Sequence, residues 1–188
     1  MTYKFRPTLA LIALGLFLQT CSKETKKDPY LIGKRQVGLL TDSTQLKDLK
    51  TLYVNDSLST FQNDLSFTGI TTDVHVLDNL GTPLLTLSPT RAVDSTATIR
   101  TIKIEDPRYT TAKGISINST FGDIASNYKI NKIDNLIKTI VVSVAELDAS
   151  FTIDKSELPA NMRFDMSLNI DPIQIPNEAK IKYFMIHW

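Results

Sequence analysis

The sequence holds one cysteine, Cys21, and two histidines, His75 and His187, among 188 residues. A lone thiol closes no internal disulfide, so the fold is not stapled. Zinc takes three or four ligands, and the two histidines stand far apart in the chain. Glycine is scarce too, with seven in all. Neither Gly-x-Gly-x-x-Gly nor the phosphate-binding P-loop occurs, which removes the usual nucleotide-binding signatures, so no cofactor is implied. Gly-x-Ser-x-Gly, the sharp turn that presents a nucleophilic serine, is absent as well. No apolar run approaches the roughly 20 residues that carry a helix across a bilayer. Nor is there an excess of basic charge, with 21 basic residues against 20 acidic, and nucleic-acid binding needs a basic face.

What is present begins at the N-terminus. Lys4 and Arg6 precede an unbroken apolar stretch from Leu9 to Leu18, the pattern of a secretory signal peptide over residues 1–20. The stretch ends in Leu18-Gln19-Thr20-Cys21, with no small-residue cleavage site of the A-x-A kind. This resembles the lipobox of bacterial lipoproteins, in which a leucine sits three residues before an obligatory cysteine. Thr20 departs from the pattern, since Gly, Ala or Ser is commoner there. The resemblance implies a diacylglycerol on the sulfur of Cys21, cleavage before it and acylation of the new amine. It implies a palmitate-type membrane anchor in the bacterial cell envelope. The plainer alternative makes Cys21 an incidental thiol.

Removing residues 1–20 takes away Lys4 and Arg6, leaving 19 basic residues against 20 acidic. Residues 21–29 then read as the lipidated cysteine and a flexible polar tether, spanning about 15 Å as a coil. Lys23-Glu24 followed by Thr25 matches the acidic export signal of some lipoproteins only in part, and Ser22 is not the aspartate of inner-membrane retention. The expected place is the outer membrane, facing the periplasm.

Residues 30–188 suit a single domain, large enough to bury about 70% of its unfolded surface. Two stretches within it match, residues 38–53 and 114–128. Each runs Gly, apolar, two residues, Asx-Ser-Thr, an Asp-apolar pair and a Tyr. The Asx-Ser-Thr oxygens suit helix capping, and Thr120 with Asp123 fits a capping box. An anion site at the same turns is the other reading. Leu46, Leu49, Leu52 and Tyr53 then fall at helical spacing, as do Phe121, Ile124, Ala125 and Tyr128. Elsewhere the period is two. Strands are expected over residues 67–77, 84–87, 98–105 and 179–188, with a hairpin from 139–145 and 150–153 around Glu146 and Asp148. The fold class is therefore α+β, a mainly antiparallel sheet with two short helices in a duplicated strand-turn-helix unit.

Tyr109, Gly114-Ile115, Ser119 to Ile124, Tyr128 and Ile175 to Tyr183 resemble a group of uncharacterised bacterial envelope lipoproteins. That resemblance implies no activity and no site residues.

Candidate chemistry is sparse. Asp73 and His75 share one strand face, half of a metal site or simply a solvated face. His187 more naturally completes the last strand than acts as a base. Glu146 and Asp148 fall in a turn, where Asp is a turn former. Asp42-Ser43-Thr44, Asp56-Ser57-Leu58 and Asp94-Ser95-Thr96 resemble acceptors for O-glycosylation in exported bacterial proteins, at Ser43, Ser57 and Ser95. Two function classes remain. The first is a lipid-anchored periplasmic binding or scaffolding module with an envelope protein as partner. The second is an envelope hydrolase or ligand-binding enzyme whose site is assembled only in three dimensions.

Overall fold

The structure is a computed structural model that describes residues 28–65, 69–91 and 94–188. The signal peptide, Cys21 and tether residues 22–27 lie outside the described residues. In chain order the elements are β1 (Leu31–Gly33), β2 (Gln36–Val37), β3 (Leu40–Thr41), α1 (Leu49–Leu52), β4 (Ser57–Leu65), β5 (Gly69–Leu77) and β6 (Pro83–Pro89). There follow β7 (Ile99–Ile104), β8 (Thr110–Thr111), α2 (Phe121–Asn127), β9 (Lys132–Asn135), β10 (Thr139–Val144), β11 (Ala149–Asp154) and β12 (Ile181–His187). The architecture is α+β and mostly antiparallel.

Eight strands form one antiparallel sheet in the order β4-β5-β6-β7-β12-β11-β10-β9. It consists of two meanders, β4–β7 and β9–β12, joined where β7 pairs with β12. Side chains alternate across a strand, so the register decides which residues meet on one face. Val76, Leu85, Ile104, Phe184, Phe151 and Val142 form a continuous cross-strand row. A second row runs through Val74, Leu87, Ile102, Ile186, Ala149 and Val144. Both rows are buried. Burying each large apolar side chain contributes about 1.5–3 kcal/mol, and the Phe151 and Phe184 rings stack with centroids 4.5 Å apart. A one-residue slip would turn either row to the polar face, and this fixes the register.

The helices and a small second sheet, β3-β2-β1-β8, complete the same core. Its members include Ile32, Val37, Leu40, Leu49, Phe121 and Ile124. The opposite face of the large sheet carries Asp73, His75, Thr86, Ser88, Lys103 and Ser150. Asp28 and Pro29, expected in the tether, already belong to the fold. Asp28 Oδ1 accepts from the Tyr30 amide at 2.9 Å. A β-carbon at Gly38, where φ is +55°, would stand 2.2 Å from the Pro29 carbonyl oxygen, so only glycine fits there.

The two glycine-to-tyrosine stretches agree in part. Both open on a positive-φ glycine, Gly38 at 55° and Gly114 at 79°, and both end in a short helix and a buried tyrosine. Their strand halves differ. The first contains β3, whereas residues 115–119 form no strand. The first cap is also displaced. The Gln45 amide donates to Asp48 Oδ2 at 3.1 Å, while Thr44 turns back to accept from the Thr41 amide at 2.9 Å. Thr120 and Asp123 do form the expected capping box. Ala125, expected in the buried stripe, is exposed. The seven residues of α2 bury a narrow stripe of Phe121 and Ile124, and Ala125 lies on its rim.

Candidate functional site

A cleft of about 680 Å³ opens between α1 and the β4–β5 edge of the large sheet. One wall is the 3-10 turn Leu46–Asp48 running into α1, which supplies Leu46, Leu49 and Lys50. The floor is the core face of the edge strands, with Leu58 and Thr60 from β4 and Thr72 and Val74 from β5. Asp94 and Ser95 close the third side. That side is tied down by backbone bonds. The Leu46 amide donates to the Ala97 carbonyl at 3.0 Å, and the Lys47 amide to the Ser95 carbonyl at 2.9 Å. α1 is a single turn, too short to persist alone, and it stays in place because Leu49 and Tyr53 are buried in the core.

The cleft is chemically quiet. Asp94 Oδ1 accepts from the Thr96 hydroxyl at 2.6 Å and the Thr96 amide at 2.8 Å. These bonds hold its carboxyl below the usual range, so it is an ionised turn former, not a base. Thr72 Oγ1 is buried with no hydrogen-bond partner among the described residues. No histidine or cysteine is among the described lining groups. Binding pockets for small molecules run to about 300–1,000 Å³, mostly apolar with a few placed polar groups. This cleft fits that description, and nothing in the local sequence announced it.

Asp73 and His75 do share one face of β5, but it is the face away from the cleft. Asp73 Oδ1 accepts from the Ser88 hydroxyl at 2.7 Å, and His75 Nδ1 meets Thr86 Oγ1 at 3.1 Å. Thr86 also donates to Glu105 at 3.1 Å, and Glu105 pairs with Lys103. Among the described residues no group of three or more His, Cys, Asp or Glu converges on a metal-sized site.

His187 ends β12 as expected, and the fold adds a partner that its sequence position did not suggest. Its Nε2 lies 2.7 Å from Ser150 Oγ, beside a shallow cavity of about 470 Å³ that Asp148 and Asn131 also line. Burial pushes the imidazole below its ordinary value, and the Asp148 charge opposes the shift. Glu146 and Asp148 occupy the β10–β11 turn, Asp148 with φ 52°. Ser43, Ser57 and Ser95 are all exposed.

The crystal structure of the uncharacterized protein yfeY from Escherichia coli is similar to this chain, with a TM-score of 0.56 and 16% sequence identity. The likeness covers 84% of this chain and 99% of that one, and at this identity it shows a shared fold. No family model matches the chain, and no curated protein matches it in sequence.

Proposed function

We propose that the protein is a lipid-anchored binding module of the bacterial cell envelope, held by Cys21 at the periplasmic face of the outer membrane. Its cleft takes an apolar or amphiphilic small molecule. The observation that carries this reading is the cleft itself, with Leu46, Leu49, Leu58 and Val74 around one unpartnered hydroxyl, Thr72 Oγ1. An apolar body there removes leucine surface from water, at roughly 25 cal/mol per Å². A polar group on the ligand meets Lys50 at the rim.

The test is titration with N-phenylnaphthylamine, a dye that brightens in apolar sites. The native protein gives a saturable rise. Leu58→Trp, which fills the cleft from an edge strand, abolishes the rise while keeping a cooperative melt. Absence of a saturable rise in the native protein overturns the reading. The anchor is tested separately, by intact mass of membrane-extracted protein. A chain beginning at an acylated Cys21 is expected, and a free Cys21 thiol removes the anchor and the localisation together. The same spectrum reads any sugar on the exposed Ser43, Ser57 and Ser95.

One observation favours the hydrolase alternative. Ser150 and His187 have the hydroxyl-to-imidazole contact of a nucleophile and its base. A fluorophosphonate probe that labels native protein but not Ser150→Ala carries that reading, and an unlabelled native protein removes it.

A further inference from the structure

The sheet register places particular turns at the same end of the molecule. Ser57 lies opposite Leu77 and Leu77 opposite Pro83, so the 53–56 turn and the Asp78–Gly81 turn are neighbours. Leu85 pairs with Ile104, Ile104 with Phe184, and Ile153 with Ile181. Thr139 pairs with Asp154, and Ile140 with Asn135. The 136–138 turn and the segment after Asp154 therefore lie at that end as well. Asn135 Nδ2 donates to the Asp165 and Leu168 carbonyls, both at 3.0 Å, and this brings the 163–168 loop alongside.

This end collects most of the large apolar side chains that the described residues leave in water. Val54 is 72% exposed, Leu80 85%, Leu136 48%, Ile137 72%, Phe164 89% and Met166 54%. They are spread over four segments, with Leu136 and Ile137 on one turn and Phe164 and Met166 on one loop. The chain also enters the fold here. Arg108 joins Tyr30, through its hydroxyl at 3.0 Å, to Asp106, and lies 4.0 Å from Asp78 at the Leu80 turn. Cys21 stands seven residues before Asp28, a stretch that spans at most about 25 Å fully extended.

We infer that this end of the sheet faces the membrane and that Leu80, Ile137 and Phe164 dip into the bilayer surface. The inference rests on the reading of Cys21 as the lipid anchor. A tether this short keeps its own end of the domain against the headgroups. Protruding side chains spread over separate turns and a loop suit a fluid acyl region, which closes around each one. A folded partner would need a complementary pocket for each tip. Both signs of charge occur at this end, Lys138 and Lys180 as well as Asp28 and Asp56, so contact is apolar and depends little on salt.

The experiment uses the full-length lipidated protein in vesicles of phosphatidylethanolamine and phosphatidylglycerol. Leu80→Cys and Ile137→Cys carry an environment-sensitive NBD label, as does Glu146→Cys on the β10–β11 turn at the opposite end. All three positions are exposed turns, where substitutions spare the fold. The label at 80 and 137 brightens severalfold and shifts to the blue on reconstitution, and that at 146 stays as in water. Unchanged emission at 80 and 137, or an equal change at 146, overturns the inference. A rise that tracks protein density at fixed lipid assigns the tips to a second copy of the chain and overturns it equally. Failure of the anchor reading shows separately, because a free Cys21 would itself take the label and appear in the intact mass.

Discussion

Gly122 donates its amide to the Asn177 carbonyl at 2.8 Å, and a β-carbon added to Gly122 would stand 2.9 Å from the Asn177 β-carbon. Beside it the Phe121 amide donates to the Ala179 carbonyl at 2.8 Å, and Thr120 bridges Lys180. The first turn of α2 is thus clamped to the segment leading into β12. Two stretches of the lipoprotein resemblance, 119–124 and 175–183, meet in one structural contact.

Gly122→Ala therefore overpacks a backbone contact that has no room to relax. It is expected to cost about 1–3 kcal/mol. A thermal melt beside the native protein reads this, and an unchanged midpoint would mean that the clamp yields freely.

Leu49 and Ile124 anchor the two helices from within the core, at 2% and 0% exposure. Truncating either to alanine is expected to cost about 2–5 kcal/mol. Urea denaturation checks it, and losses within the ~0.5 kcal/mol of surface changes at both sites would contradict the packing.

Lys155 is buried at the end of β11, and its Nζ has no hydrogen-bond partner among the described residues. An unpaired buried donor costs about 1–3 kcal/mol. Lys155→Met keeps the chain length and removes the ammonium, so its melting midpoint should rise. A fall would show that the charge is balanced by Asp165, whose carboxyl the Lys155 charge lowers.

Two acid transitions are expected. Burial holds His187 below its ordinary 6.5, so the unfolded chain takes up a proton that the folded chain refuses. Stability falls as pH drops below 6.5 and levels off once the folded imidazole protonates. Hydrogen bonds from Arg108 lower Asp106, and the Ser156 amide followed by Lys182 lowers Asp154 to about 2. Their stabilisation is present above the unfolded value of 3.8 and is lost as pH falls toward 2. Urea midpoints from pH 8 to 2 should show both steps. His187→Gln should flatten only the first, and a profile unmoved by that change would contradict its assignment.

The sheet was legible where strands alternate cleanly. Thr139–Val144 places every second residue in the core, and Ile99–Ile104 does so from Ile102 onward, so the period shows in the letters. β4 was not legible, because Ser57–Leu65 mixes serine, glutamine, asparagine and aspartate into an edge strand with little apolar alternation. β2 and β3 have two residues each, too few to carry a period. The cleft was out of reach for another reason. Its walls come from residues 46–50, 58–60, 72–74 and 94–95, each locally an ordinary stretch of helix, strand or turn, and only the tertiary fold brings them together. Ser150 and His187 likewise meet across 37 residues through the β11–β12 pairing.

The central claim is that the cleft under α1 holds a molecule from the envelope. Native mass spectrometry of protein extracted gently from its own membranes tests this most directly, with Leu58→Trp extracted in parallel. The account predicts a discrete noncovalent adduct on the native chain, released on activation and absent from the variant. A native chain that flies without an adduct, or a variant that keeps the same adduct, would contradict it.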